Sequence, residues 1–535
     1  MHKLVSAVCV ILFFILPLFA DISVTPYGAA ETVSGSCFLL DTGDEKIIID
    51  CGLFMFSSDE QDIDLFASEE SLNLKIQKEL IDAKALFLTH AHLDHSGRIP
   101  ILIYEGFKGK IYSTKATKEL TIALFKERSG FDLIKRKWFW SESQYEKVEE
   151  KNGTVVAHWT EECKKNIKSI GYSKDEMLLK DLDKNEKVKF ILCKNCCERE
   201  SEKISEKFVN ADYNEEIKIS DSLKAKFINA GHIPGSASII FSTDKEKVLF
   251  SGDLGSGNSK FNGEFEIPES VDLIFMEATY GGKVNHNIAR EYELFRKDLK
   301  NALESRKTVW IPTFALNRTQ EVLYELKLMQ DDGYISKKFP IYSVSPSANA
   351  ITALYQKEVS RKEDEEHEYS QRKWFLETIY QKKSILPENT RLQMIGNYEM
   401  QMILFSSSGD MDKGKSEQLA PIMLPDKNVF VMIVHYVDPE SSAGLLLRNK
   451  KPLFGLKKLA AKIKRYNVFS DHADFEMLQK WLSKQSKDAK IYIIHSNKQN
   501  TAQTVSLLQE KGWSRVKGTR LGKTIQLDGD SCIFY

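Results

Sequence analysis

The sequence predicts an α/β protein of at least two domains, and three observations carry that expectation. In the second half of the chain, apolar strand-like runs alternate with helix-period segments, the pattern of a parallel sheet. In the first half the apolar runs are short, and most end on a polar residue, as strands do when they deliver side chains to one edge of a sheet. Finally, 535 residues at 42% hydrophobic and 28% charged content hold more core-forming material than one domain usually organises.

Residues 1–20, "MHKLVSAVCVILFFILPLFA", have the layout of a secretory signal peptide: Lys3, an apolar run from Leu4 to Phe19, then Ala20 before Asp21. They predict export to the outside or to the periplasm, with an N-terminal anchor or a mis-assigned start as alternatives. No other segment is long and apolar enough to span a bilayer, so no further membrane insertion is expected. "CFLLDTGDEKIIID" reads as a hairpin around Asp-Thr-Gly-Asp whose second strand ends on Asp50. "AKALFLTHAHLDH" is a strand that empties into His90, His92, Asp94 and His95. Residues 115–215, rich in Lys and Glu with few Gly or Pro, read as a mostly helical surface insertion.

Strand signals return with "LKAKFINAGH", "SIIFST", "KVLFSGD" and "VDLIFMEATYG", which bring in His232, Asp253 and Glu277. A helix over about 287–305 then leads to the strand "TVWIPTF" and a helix from Leu316. "FPIYSVSP", "MILFSSSG" and "VFVMIVHY" are further strands with helices between them, and 360–372 is a solvated charge run. The last unit is strand "YNVFS", helix 474–485, strand "KIYIIH" ending at His495, and helix 499–511.

Lys and Arg total 75 against 76 Asp and Glu, so no global basic excess points to nucleic acid; any such binding rests on local patches. Of eight cysteines, Cys9 lies in the leader, and the odd remainder leaves at least one unpaired or bonded to another chain. Cys163, Cys193, Cys196 and Cys197 share one charged segment and fit either disulfides or a small metal knot.

The chain has only eleven histidines, yet three fall within six positions at residues 90–95 together with Asp94. Alternate residues of an extended segment point the same way, so His90 and His92 are placed to grip one ion, with Asp94 and His95 leaning toward a second position. Imidazole and carboxylate suit zinc. A lone histidine after a strand is usually structural, but His232, Asp253, His472 and His495 all sit at the same kind of predicted sheet edge.

These motifs resemble those of the metallo-β-lactamase fold and, within it, the β-CASP nucleases. "HAHLDHSGRIP" is similar to the family signature. "AGHIPGSAS", "FSGDLG", "FMEATYGG", "IPTFALNRTQEVLYEL", "FSDHAD" and "IIHSNKQN" resemble its later motifs in order. The resemblance implies an αββα sandwich over 21–283 and 463–535, with a β-CASP α/β domain inserted at about 284–462. It implies two zinc ions: one held by His90, His92 and His232, the other by Asp94, His95 and His495, with Asp253 bridging and Asp50 orienting a ligand histidine. Glu277 and His472 would form a charge-coupled pair at the leaving group, and Asp94 would be required for catalysis. Arg318 with Ser407, Ser408 and Gly409 would contact phosphate. The implied activity is hydrolysis of phosphodiester bonds in single-stranded RNA by a zinc-bound hydroxide, with DNA disfavoured and a homodimer possible.

The chain departs from the family pattern at Asp471, beside His472, where its carboxylate is expected to raise the histidine pKa, and at Asp410, His435, Ser496 and Asn497. No ligand is lost. Two other readings compete: an inert RNA-binding partner subunit, and a dinuclear zinc hydrolase of a smaller phosphodiester or ester.

Overall fold

The computed structural model describes residues 22–55, 69–126, 145–151, 154–159, 177–179, 190–192, 194–257, 259–284, 288–363, 401–449, 453–469 and 471–526. The expected leader, most of the 360–372 charge run, and the side chains of Cys163, Cys193, Cys196 and Cys197 lie outside the described residues.

Two seven-stranded mixed sheets face each other. The first contains β1 (Ser23–Pro26), β2 (Phe38–Asp41), β3 (Lys46–Ile49), β4 (Ala85–Phe87) and β5 (Lys110–Ser113). Between β5 and the second sheet lie two short hairpins, β6 (Tyr145–Lys151) with β7 (Thr154–Trp159) and β8 (Met177–Leu179) with β9 (Phe190–Leu192), and then β10 (Phe208–Asn210). The second sheet takes β11 (Glu216–Lys218), β12 (Lys224–Asn229), β13 (Ala237–Ser242), β14 (Lys247–Phe250) and β15 (Leu273–Glu277).

The inserted domain holds β16 (Thr308–Pro312), β17 (Ile341–Ser343), β18 (Ile403–Ser406), β19 (Val429–Ile433) and β20 (Lys462–Arg465). The chain then returns to the sandwich. β21 (Lys490–Ile494) and β22 (Val516–Gly518) complete the second sheet, and β23 (Ile525–Gln526) pairs with β1 in the first.

The inward faces interlock through aromatic residues: Phe38 packs on Phe250 and Phe275, and Phe87 on Phe227 and Phe241. All six are buried, and each fully buried side chain of this size contributes about 1.5–3 kcal/mol. The helices Ile99–Tyr104 and Lys115–Lys126 cover the outside of the first sheet, and Phe475–Trp481 and Lys498–Glu510 the outside of the second. The result is the expected αββα sandwich. The inserted five-stranded sheet, ordered β17-β18-β16-β19-β20, is parallel throughout, as the strand–helix alternation predicts. A shared apolar cluster joins the two domains: Ala91, Ile233 and Phe261 of the sandwich meet Leu316, Val322 and Tyr355 of the insertion.

Two expectations need correction. The 115–215 segment is not mostly helical among the described residues. Helices Lys115–Lys126 and Lys194–Ser205 bracket two hairpins, and β10 pairs with β5 as the edge of the first sheet. The strand "YEKVEEK" shows no alternation, since Tyr145 and Val148, its only apolar residues, stand three apart among Lys and Glu; the Asn152-Gly153 turn signal that follows is the one available cue. The strand expected at "YNVFS" lies just upstream, at β20, which carries the inserted sheet past the boundary expected at 462.

Candidate metal centre

Every functional side chain but one follows the end of a strand, and the strand directions bring those ends together. Asp50 follows β3, the His90–His95 loop follows β4, His232 sits in the β12–β13 connection, Asp253 follows β14, Glu277 closes β15 and His495 follows β21. His472 enters from the chain between β20 and helix Phe475–Trp481 and bridges to Gly255. The loops approach so closely that two glycines are required. A Cβ on Gly52 would lie 1.5 Å from the Asp94 carbonyl oxygen, and one on Gly255 1.9 Å from that of Gly231.

Two groups of ligand atoms result. His92 Nδ1 lies 3.1 Å from His90 Nε2 and 3.2 Å from His232 Nε2. Asp253 Oδ2 is 3.5 Å from His90 Nε2 and 3.6 Å from His232 Nε2. On the other side, Asp253 Oδ1 is 3.2 Å from His95 Nε2, and His495 Nε2 is 3.3 Å from Asp94 Oδ2. The Asp253 carboxylate thus stands between the groups with one oxygen toward each.

The surrounding hydrogen bonds fix the rings. Asp50, in a left-handed backbone conformation (φ 58°), accepts from Ser36 Oγ, from Thr89 N and Oγ1, and from His95 Nδ1 at 2.7 Å. That last bond leaves His95 Nε2 aimed at Asp253. His232 Nδ1 donates to the Asp471 carbonyl at 3.0 Å, which leaves its Nε2 bare. Glu277, fully buried, accepts from Leu254 N, from Thr279 N and Oγ1, and from His472 Nδ1 at 3.0 Å. His472 Nε2 then faces Asp253 Oδ2 at 3.9 Å.

The protonation pattern suits a cation. Burial holds His90 well below the ordinary histidine range and lowers His232 to about 3, so both imidazoles are neutral. Burial works to raise Asp94 and Asp253. The His495 hydrogen bond nevertheless pulls Asp94 down to about 2, and His495, His95 and His90 hold Asp253 well below its usual value. Buried His95 Nε2 and Asp253 Oδ1 face each other without any hydrogen-bond partner. His95 lies the other way: against burial, the Asp253 and Asp50 carboxylates raise it well above the ordinary histidine range, so it carries a proton that a bound cation would displace. Ionised Asp94 and Asp253, neutral His90 and His232, and ligand atoms aimed at common points are what divalent-metal coordination requires, so the residues present fit the metal that the sequence implies.

His472 behaves differently. Burial works to lower its pKa, but the Glu277 and Asp253 carboxylates outweigh it and raise it to about 10. The carboxylate of Asp471, expected from the sequence to raise this pKa, is not among its leading causes; it turns away to pair with Arg318 Nη2 at 2.8 Å.

The expected phosphate contacts are engaged elsewhere. Arg318 is buried, and its Nη atoms reach Asp471 and the Val468 carbonyl. Ser407 N donates to Ser345 Oγ and Ser408 N to the Lys413 carbonyl, while Gly409 lies under the His435 ring. Sequence reasoning missed Ser36, Thr89 and Thr279, whose hydroxyls hold Asp50 and Glu277. It also missed Glu321, which accepts from Ser259 Oγ and Lys260 N across the domain junction. The only available signal was adjacency: Thr89 directly precedes His90, and Thr279 stands two residues after Glu277.

One carboxylate set between two groups of buried ligands, at the joined strand ends of a sandwich, makes the class plain: a metal-dependent hydrolase. Three family profiles match nearly the whole described chain: the Metallo-beta-lactamase superfamily over residues 30–306, the Beta-Casp domain over 319–446, and the Zn-dependent metallo-hydrolase RNA specificity domain over 457–516. The chain belongs to the metallo-beta-lactamase superfamily, in its beta-CASP branch. It is similar to a ribonuclease of Thermus thermophilus, 24% identical over 508 residues that cover 94% of this chain and 99% of the relative. An RNase J-like protein of Methanocaldococcus jannaschii is 24% identical over 497 residues, covering 88% and 92%. Cleavage and polyadenylation specificity factor 73 of Drosophila melanogaster is 23% identical over 500 residues, covering 92% of this chain and 62% of that protein.

Proposed function

We propose that this protein is a ribonuclease that hydrolyses phosphodiester bonds of single-stranded RNA. Two zinc ions would be held by His90, His92 and His232 and by Asp94, His95 and His495, with Asp253 shared. The position of the Asp253 carboxylate, one oxygen toward each ligand group, carries this reading. Bound there, a metal pair supplies Lewis acidity and an activated water for in-line displacement at phosphorus.

The protein's own groups do the rest. His472, held protonated by Glu277, delivers the proton from Nε2 to the leaving 3′ oxygen. Glu277 keeps that imidazole oriented through Nδ1 and is itself fixed by Leu254 N and Thr279. Asp50 holds the His95 ring so that Nε2 stays on the ligand side. Retention of all seven ligands disfavours an inert partner subunit, and the inserted domain beside the centre disfavours a small substrate.

The test is metal analysis followed by cleavage of labelled single-stranded RNA beside single-stranded DNA, with Asp94→Ala as control. About two zinc per chain and cleavage of RNA by the wild type alone support the reading. A protein without metal sinks both enzymatic readings, and hydrolysis of bis(4-nitrophenyl) phosphate with RNA left intact supports the small-substrate alternative. Export is a separate proposal resting on residues 1–20, and sequencing of the mature N-terminus tests it: a start at Asp21 supports it and retained Met1 overturns it.

A further inference from the structure

A second group of chemically unusual residues lies at the C-terminal edge of the inserted sheet. β16 is flanked by β18 and β19, all parallel, so the loops that follow them meet at one edge. Those loops carry Phe314, Gly409–Asp410 and His435. Ligands of open parallel sheets bind at this edge.

His435 is 4% exposed, yet neither of its ring nitrogens has a hydrogen-bond partner. Its ring lies against Gly409, where a Cβ would stand 2.6 Å from Cε1 and Nε2, so glycine is what admits it. Asp410 Oδ1, also buried and unpartnered, is 3.9 Å from His435 Nε2. Burial first, and then the Asp412 and Asp438 carboxylates, raise the Asp410 carboxyl to about 7, against a backbone hydrogen bond from Asp438. Phe314, 40% exposed, meets the imidazole edge-on at 4.8 Å. Buried polar atoms rarely go without partners, and several in one patch call for an explanation by something that binds there.

One helix links this edge to the metal centre. Phe314 leads directly into helix Arg318–Asp331, whose Arg318 reaches Val468 and Asp471, the residues just before His472. A phosphate suits the imidazole but not the neighbouring carboxyl, which repels it. A nucleobase suits both, because its edge presents N–H donors beside acceptors and its face stacks on aromatic rings.

We propose that Asp410 Oδ1 and the His435 ring read the edge of one nucleobase of the substrate strand while Phe314 packs against its face, a base-binding subsite in the inserted domain. It rests on the reading of the substrate as RNA.

The test walks a single abasic position along a labelled oligoribonucleotide and measures both binding and KM. At one position, loss of the base should weaken wild-type binding about tenfold, within the range of a base–aromatic contact. In Phe314→Ala and in Asp410→Asn, intact RNA should bind about tenfold more weakly and the abasic penalty at that position should vanish. Turnover of bis(4-nitrophenyl) phosphate, which has no base, should stay at the wild-type level and certify the fold of each variant. Gly409→Ala, which displaces His435 without removing it, should act in the same direction. If no position is sensitive, or the variants keep the penalty, the subsite is overturned while RNA cleavage stands. If the wild type neither binds nor cuts RNA, the functional reading and the subsite fall together.

Discussion

Thr279 shows how much a single hydroxyl decides at this centre. It has one proton, which it donates to Glu277 Oε2 at 2.7 Å; toward His495 Nδ1, 3.0 Å away, it acts as acceptor. That choice puts the ring proton on Nδ1 and leaves Nε2 facing Asp94 as the ligand atom. Thr279→Val keeps the shape and removes the hydroxyl. Zinc affinity, measured by chelator competition, should fall about 10- to 100-fold, as for other partners behind a ligand, and Thr279→Ser should retain it. A valine variant that binds zinc like the wild type would sink this account. The sequence displayed the ligands because His and Asp at strand ends are few and chemically distinctive. It could not display Thr279, Thr89 or the Asp471 carbonyl, since hydroxyls and backbone oxygens occur everywhere and gain their roles only from the fold.

At the scale of the element, the first turn of helix Arg318–Asp331 clasps the sandwich. Arg318 pairs with Asp471, and three residues on Glu321 accepts from Ser259 and Lys260. With both partners largely buried, Asp471→Ala leaves an uncompensated charge and should cost about 3–5 kcal/mol in urea unfolding, most of it recovered in Arg318→Met/Asp471→Leu. A single variant no worse than the double would refute the pairing as a stabilising contact.

Glu321 adds a pH dependence. Burial raises its pKa from 4.5 to about 7. A group raised on folding gives stability that is complete below its unfolded value and is lost as pH rises through the folded one. Wild-type stability should therefore decline between about pH 4.5 and 7 and level off above, by an amount bounded at about 3 kcal/mol, and Glu321→Gln should flatten that part of the profile. Equal slopes in the two proteins would exclude Glu321 as the source. Legibility at this scale follows burial. The apolar inner strands of the inserted sheet are plain in the sequence. β20 is not, because it is an edge strand written "KIKR", whose Lys462 and Lys464 lie over Phe430 and Tyr466.

At the scale of the whole molecule, the metal centre and the inserted domain share one apolar core. Ala91 lies between His90 and His92, and Ile233 follows His232. Both pack in the cluster that contains Leu316, Val322 and Tyr355 of the insertion. The ligand loops are therefore also the floor on which the second domain rests. Without a cation, Asp94 and Asp253 are ionised carboxylates close together in a buried site, a repulsion that a divalent cation relieves. Metal that binds only the folded state stabilises it by mass action, about 4 kcal/mol at a thousandfold excess over Kd. Because the loops that metal fixes also hold the interface, chelation should do more than lower the melting temperature. In calorimetry the single transition of the zinc-loaded protein should separate into two, with the inserted domain released at its own temperature, and added zinc should restore one. Separation should also appear in Ile233→Ala with metal present, since that change weakens the floor and leaves every ligand in place. If chelation shifts one undivided transition, or leaves it unmoved, the centre and the insertion are energetically independent and their contact does no more than fill space.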